Sequence, residues 1–132
     1  MTIKIDQALI QHFISGSFGL PIAHENLPYS PVAGTAYAEI LVIQNDITAA
    51  DLSHTNETDG IFRVILRYPV DSGSIAVKQK ADAIFSYFKI GSEIAYAGQE
   101  IVITRHARAN GYSEQGWYKI VITISYKAFL AR

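Results

Sequence analysis

The chain has 132 residues, of which 49% are hydrophobic and 11% aromatic, and its formal net charge is −1 at pH 7. This hydrophobic content excludes a disordered chain and is enough for one globular core, so we expect a single domain over residues 1–132. Because the sequence contains no cysteine, it has no disulfide framework, no thiolate nucleophile and no cysteine-based zinc site.

The start of the chain lacks the basic-then-apolar pattern of a secretory signal. No apolar run approaches the roughly 18 residues of a membrane span. We therefore expect a protein that begins in the cytoplasm and does not bind membranes.

Charge is distributed unevenly along the chain. No Lys or Arg lies between Lys4 and Arg63, a stretch with seven acids, whereas ten bases and five acids follow from Arg63 to Arg132. If the two halves occupy different surfaces, the acidic face of one copy can dock on the basic face of the next. Such a head-to-tail contact closes into a ring or extends as a filament. If folding interleaves the halves, the charges pair within one chain instead.

The first half of the chain contains one predicted helix and one predicted strand. Apolar spacing predicts a helix over residues 3–15, followed by a short extended piece at 20–24 and an irregular connection. Alternation predicts a strand over 36–43. Residues 44–59 carry four acids and no base. They are either a hairpin arm that orders on a partner surface or a floppy loop.

A strand, a short polar turn and a helix between residues 59 and 90 form the central unit. On the strand, apolar side chains alternate with a second set, Ile61, Arg63, Ile65 and Arg67, which points to the other side of the sheet. A mixed apolar and basic stripe of this kind is typical of a surface that an assembly covers. The helix is predicted after Ser72 or Ser74 as N-cap, with Gly91 as its stop.

The last third of the chain predicts a hairpin around Gly98-Gln99, a polar loop at 106–116 and a closing strand at 117–129. Antiparallel neighbours joined by short links, with helices that carry one apolar stripe each, favour an α+β fold. We predict an antiparallel or mixed sheet of four to five strands with two helices packed on it.

Searches for catalytic motifs fail. His24-Glu25 begins like the zinc metalloprotease motif, but Pro28 occupies the position that requires a second histidine. The four histidines lack metal-ligand spacing, and no phosphate loop, dinucleotide fingerprint or nucleophile elbow is present. We therefore predict no catalytic, cofactor or metal site, and no enzyme.

One cluster leaves a nucleic-acid- or ligand-binding module open. Arg105 and Arg108 lie near Tyr112 and Trp117 in the sequence, and bases interleaved with aromatics can track phosphates and stack on nucleobases. A sequence pI of about 6.4 favours a solvated loop instead.

Several stretches together resemble a family of small bacteriophage tail proteins, the tail terminator or tail completion proteins, and are distantly similar to the tail terminator of phage lambda. The similarity covers about residues 7–129, and its motifs are structural rather than catalytic. The matching stretches are Leu20-Pro21-Ile22-Ala23-His24-Glu25-Asn26-Leu27-Pro28, Gly60-Ile61-Phe62-Arg63-Val64-Ile65-Leu66-Arg67-Tyr68-Pro69, Gly73, Ala81-Asp82-Ala83-Ile84, Phe88, Gly116-Trp117-Tyr118, Val121-Ile122-Thr123-Ile124-Ser125-Tyr126 and Ala128.

The resemblance implies a structural phage or prophage tail protein that needs no cofactor. Such proteins form a hexameric ring that caps the tail tube, ends polymerisation of the major tail tube protein and offers a surface to the head–tail connector protein. The expected location is the virion, after assembly in the bacterial host cytoplasm. A head-completion or neck adaptor ring is the alternative. The isolated chain can still be a monomer, because weak rings can require a tube end.

For the contacts between subunits we predict bases of one copy against acids of the next, since unlike charges set register and orientation. The predicted bases are Arg63, Arg67, Lys119 and Lys127, and the predicted acids are Glu39, Asp46, Asp51 and Asp59.

Overall fold

The computed structural model describes residues 3–49, 55–70 and 73–131, and this part of the chain forms two helices and eight strands. In chain order the elements are α1 (Ile3–Ser15), β1 (Ile22–Ala23), β2 (Tyr37–Gln44), β3 (Thr48–Ala49), β4 (Thr55–Pro69), α2 (Ile75–Tyr87), β5 (Glu93–Tyr96), β6 (Gln99–Arg108), β7 (Tyr112–Glu114) and β8 (Trp117–Ala131).

The described strands belong to one mixed sheet in the order β1-β2-β4-β8-β6-β5, with β3 beside β4 and β7 beside β8. The β1–β2 pair is parallel and the remaining pairs are antiparallel. The predicted α+β class with two helices is confirmed. The predicted count of four to five strands is wrong, because the described residues form eight. The short strands β3 and β7 lie in segments without apolar alternation, so only their pairing with longer strands creates them.

Strands β4 and β8 are neighbours at the centre of the sheet. Each has 15 residues, and they pair along their whole length, from Thr55 opposite Ala131 to Pro69 opposite Trp117. The prediction placed the start of β4 at Ile61, whereas the strand begins six positions earlier, at Thr55. The added residues are mostly polar and have a low propensity for strands. They are extended because β8 provides hydrogen-bond partners for their backbone.

The hydrophobic core lies between the two helices and one face of the sheet. Phe62, Val64 and Leu66 on β4 are fully buried, as are Ile120, Ile122 and Ile124 on β8. Both helices pack on this face: the rings of Phe13 (α1) and Phe62 are 5.9 Å apart, and those of Phe62 and Phe88, just after α2, are 5.6 Å apart. Each fully buried side chain of this size contributes roughly 1.5–3 kcal/mol by leaving water.

The predicted second helix is confirmed and begins directly after Ser74, one of the two predicted N-cap residues. Val77, Ala81 and Ile84 form its buried stripe. The helix ends at Tyr87 with Phe88 as C-cap, and the positive φ of 85° at Gly91 comes three residues later, so Gly91 is not the left-handed stop that was predicted. Ser74 occupies the N-cap position without a side-chain hydrogen bond, so this part of the capping prediction is wrong. Ser72 lies outside the described residues.

The predicted hairpin is confirmed one residue earlier than expected. Ala97 and Gly98, with φ angles of 50° and 86°, form the turn between β5 and β6. Two consecutive positive φ angles match the twist of the flanking strands. Gln99 is the first residue of β6, and its buried amide donates to the Phe129 carbonyl oxygen at 3.0 Å.

Both predicted polar loops contain strand structure. In the first, Thr48 and Ala49 of β3 pair with Glu57 and Asn56 of β4, and residues 50–54 lie outside the described residues. The second loop is shorter than predicted, because β6 extends to Arg108 and β7 occupies 112–114. The predicted role of the first segment in binding a partner stays a prediction.

Candidate assembly surface

The sheet face opposite the helices carries the polar half of the alternating pattern, and we call it the open face. Directly paired residues in a sheet point to the same side, so the register fixes its membership. Both helices pack on the other face, so no described helix covers this one. The open face includes Tyr37, Glu39, Leu41 and Ile43 of β2, Asp59, Ile61, Arg63, Ile65 and Arg67 of β4, Lys119, Val121, Thr123, Ser125 and Lys127 of β8, and Arg105 and Ala107 of β6.

One end of the open face holds a cluster of four charged side chains. Arg67 Nε donates to Glu39 Oε1 within the same chain. Glu114 Oε1 lies 3.9 Å from Arg67 Nη1 and 3.7 Å from Lys119 Nζ. Lys119 Nζ also lies 5.5 Å from the centre of the Tyr112 ring. Two bases and two acids therefore neutralise one another here.

The other end of the open face holds a second ion pair. Lys127 Nζ lies 3.3 Å from Glu57 Oε2 and 5.3 Å from the centre of the Phe129 ring, which is 51% exposed. Beside it, Asn45 Nδ2 donates to Asp59 Oδ1 at 2.8 Å. These contacts fix the corner where β2 ends against β4.

Arg63 occupies the middle of the open face without a charged partner. It lies directly opposite Leu41 on one side and Thr123 on the other. Its Nε is buried and has no hydrogen-bond partner, and no described carboxylate forms an ion pair with it. A buried donor without an acceptor costs about 1–3 kcal/mol. Arg63 differs in this respect from the other three predicted bases, each of which has a carboxylate partner in its own chain.

The predicted acids are placed less uniformly. Glu39 lies on the open face and Asp59 pairs with Lys127 in the β4–β8 register. Asp46 lies just after β2, is exposed and forms no ion pair with any described residue. Asp51 lies outside the described residues. The predicted contacts between subunits stay a prediction, and the structure shows that Arg67 and Glu39 already pair within one chain.

Sequence reasoning missed a polar cleft of about 630 Å³ beside this corner. Three carboxylates, from Asp46, Glu57 and Asp59, line it together with Lys127 and Thr104. Thr104 lies at a β-bulge, where the β6–β8 register shifts between Ile103 and Arg105. No local sequence pattern predicts this bulge. The net negative charge of the lining suits a basic or hydrogen-bond-donating group.

The cluster proposed for nucleic acid is divided between the two faces of the sheet. Arg105 lies opposite Ser125 on the open face, whereas His106 turns to the helix side, where its ring stacks on Phe85 at 4.5 Å. Trp117 packs edge-on against Tyr37 at 5.1 Å, and Tyr112 lies opposite Lys119 and is 43% exposed. The rings of His106 and Trp117 are therefore engaged in packing, and the binding module stays a prediction.

The groups with shifted pKa values that lie near α1 have structural causes. Burial lowers the pKa of His12, and a hydrogen bond of its Nε2 to the Tyr87 carbonyl oxygen opposes that shift. Burial, with a smaller contribution from Glu25, raises the pKa of Asp6. Burial also raises the pKa of Tyr126 to about 12. None of the three forms a catalytic pair.

Within 3–49, 55–70 and 73–131, no group of three or more His, Cys, Asp or Glu side chains could hold a metal ion. The helices of the same ranges include none long and apolar enough to cross a membrane.

The chain thus folds as a small α+β protein with two helices on one face of a mixed sheet. A family model described as phage tail terminator protein matches residues 4–126, and the chain belongs to this family. It is a family of structural proteins, not of enzymes, so the chain has a structural role in a phage tail.

Two solved structures share the fold. The first, a protein without a functional name, is similar at 17% identity over 97% of this chain and 95% of its own, with a TM-score of 0.74. The second, from the virion of a native gene transfer agent particle, has 17% identity over 94% of this chain and 93% of its own, with a TM-score of 0.59. No curated protein matches the chain.

Proposed function

We propose that residues 1–132 act as one tail-terminator domain that assembles into a ring, caps the tail tube and ends its polymerisation. The family match supports the tail role. The observation that carries the ring is the open face, where an unpaired arginine lies among apolar side chains on a face that no described helix covers. When another protein covers a surface of this composition, the apolar side chains leave water and the arginine can find a charged partner.

The mechanism is replacement of one surface by another. One side of the ring is complementary to the last ring of the major tail tube protein, and the other side does not bind a further tube subunit. Growth then stops, and the outer side is available to the head–tail connector protein. Subunits in a ring meet through two different patches, since a heterologous contact closes when its rotation does. We propose six subunits, as the resemblance implies.

The partners are therefore further copies of the chain, the tail tube protein and the connector. The expected location is the phage or prophage virion, with assembly in the bacterial host cytoplasm. The likeness in fold to a chain from a virion particle supports this location.

Deletion of the gene, followed by electron microscopy of the tails, tests the proposal. Loss of termination predicts over-long or headless tails, and a plasmid copy of the wild-type chain should restore normal length. Tails of normal length with unfilled necks would contradict termination and indicate a head-completion or neck adaptor ring instead.

A further inference from the structure

We infer that Arg63 of one subunit binds the carboxylate of Asp46 of the next subunit. This inference rests on the proposed ring and specifies its contact. The basic patch is Arg63 with the apolar neighbours Leu41, Ile61 and Ile65. The acidic corner is Asp46 and Ile47, which lie between β2 and β3.

The basic patch lacks a counter-charge. Arg63 is half-buried, its Nε has no hydrogen-bond partner, and no described carboxylate forms an ion pair with it. A guanidinium presents several donors in a fixed plane, and its charge is best neutralised by a carboxylate that reaches those of its nitrogens that remain accessible. Because no described residue of the same chain supplies this carboxylate, a second molecule is the natural source.

The acidic corner has a composition that complements the basic patch. Asp46 is exposed and has no ion pair with any described residue, and Ile47 beside it is 39% exposed. One acid next to one exposed apolar side chain matches one base among apolar side chains. Neutralisation of both charges and burial of both apolar groups would occur in a single contact.

The same two groups cannot meet within one chain. The hydroxyl of Thr58 lies 3.2 Å from the Asn45 carbonyl oxygen and 3.4 Å from that of Asp46, which places Asp46 beside Thr58 of β4. Thr58 and Arg63 are separated along an extended strand by about 16 Å, at a rise of about 3.3 Å per residue. Each copy thus offers one basic patch and one acidic corner at different places, as a ring requires.

A zero-length cross-link tests the contact directly. The variant Arg63→Lys places an amine at this position, and a carbodiimide joins an amine to a carboxylate only when the two touch. In the purified chain at high concentration, we expect dimers and larger species in which mass spectrometry finds position 63 joined to Asp46. The double variant R63K/D46N is the matched control and should lose this link.

Two results would overturn the inference. The introduced amine could be joined only to a carboxylate of its own chain, such as Glu39, or it could give no link between chains. In either case Asp46 is not its partner.

A charge swap supplies an independent readout. Measured by sedimentation, R63E and D46K should each weaken self-association at least about tenfold, and R63E/D46K should recover most of that loss. K89E, an equal reversal just after α2, should leave association unchanged. If the swap does not restore association, the assignment of Asp46 is wrong.

The two proposals fail differently. A failed swap combined with normal-length tails in the complemented deletion strain would refute the Arg63–Asp46 contact and leave termination intact. Over-long tails rescued equally well by wild-type and R63E chains would show termination without this contact.

Discussion

The side chains on the two faces of one strand, β4, differ in burial and in the partners they find within the chain. Phe62, Val64 and Leu66 are fully buried against the helices. Between them, Arg63 and Ile65 lie half-buried on the open face. The helix face is complete within one chain, since its apolar side chains fill one continuous core. The open face is incomplete, because its central guanidinium lacks an acceptor. Within one chain, one side of the sheet packs into the core and the other leaves a guanidinium without an ion pair, and this second side is the one that we propose for assembly.

The largest expected effect comes from breaking the helix face. Phe62→Ala removes a ring that packs against Phe13 and Phe88, and it should lower the free energy of unfolding by about 3–5 kcal/mol. Urea denaturation followed by circular dichroism measures this loss. The matched variant on the open face, Ile65→Ala, should cost only about 1 kcal/mol. Equal losses for the two variants would show that the faces are not different in kind.

The second effect concerns Gly60, which lies on β4 opposite Gln44 of β2 and Tyr126 of β8. A Cβ at Gly60 would lie 2.1 Å from the Ile43 carbonyl oxygen, and backbone cannot move aside cheaply. Gly60→Ala should therefore cost about 1–3 kcal/mol or more. Gly16→Ala is the control, because its closest contact is the Phe18 ring at 2.6 Å, which can rotate. If both variants unfold at the same urea concentration, the clash at Gly60 is not rigid.

A third, smaller effect should have the opposite sign. Arg63→Met puts a methyl group in place of the unsatisfied Nε and keeps an unbranched side chain as far as that atom, so the free energy of unfolding of the monomer should rise by up to about 1 kcal/mol. Arg67→Met should not stabilise, since it leaves Glu39 without its partner. Thermal unfolding at low protein concentration makes the comparison. Destabilisation by Arg63→Met would mean that the arginine serves the monomer fold.

The smallest effect is a dependence on pH that belongs to the helix face. Burial lowers the pKa of His12 below its ordinary value of 6.5, so the unfolded chain takes up this proton first as pH falls. The contribution of His12 should be complete above about pH 6.5 and decline below it. Urea titrations at several pH values should show this decline in the wild type and less of it in His12→Gln. An unchanged slope in the variant would exclude His12 as the cause.

The sequence was sufficient for those parts of the fold that local periodicity specifies. Alternation along β4 separates Phe62 from Arg63, and helical spacing identifies Val77 and Ile84 as buried, because each pattern repeats within a few residues. The strands β3 and β7 have no such pattern. They exist because β4 and β8 offer them a ladder, and this is information about distant partners.

The candidate surface was predictable only in outline for the same reason. The stripe with Arg63 and Arg67 follows from alternation, but the partner of each charge depends on the register between β2, β4 and β8. That register joins Arg67 to Glu39 within one chain and leaves Arg63 unpaired. The cleft near Asp46 depends in addition on the bulge at Thr104, which no local signal marks.

A cryo-electron microscopy map of the head-proximal end of the assembled tail tests the central claim most directly. We expect a single ring of this chain on the last tube ring, with the open face of each subunit covered by its neighbour and a carboxylate within hydrogen-bond distance of Arg63. A ring in which Arg63 and the apolar residues around it remain in contact with water would contradict the account.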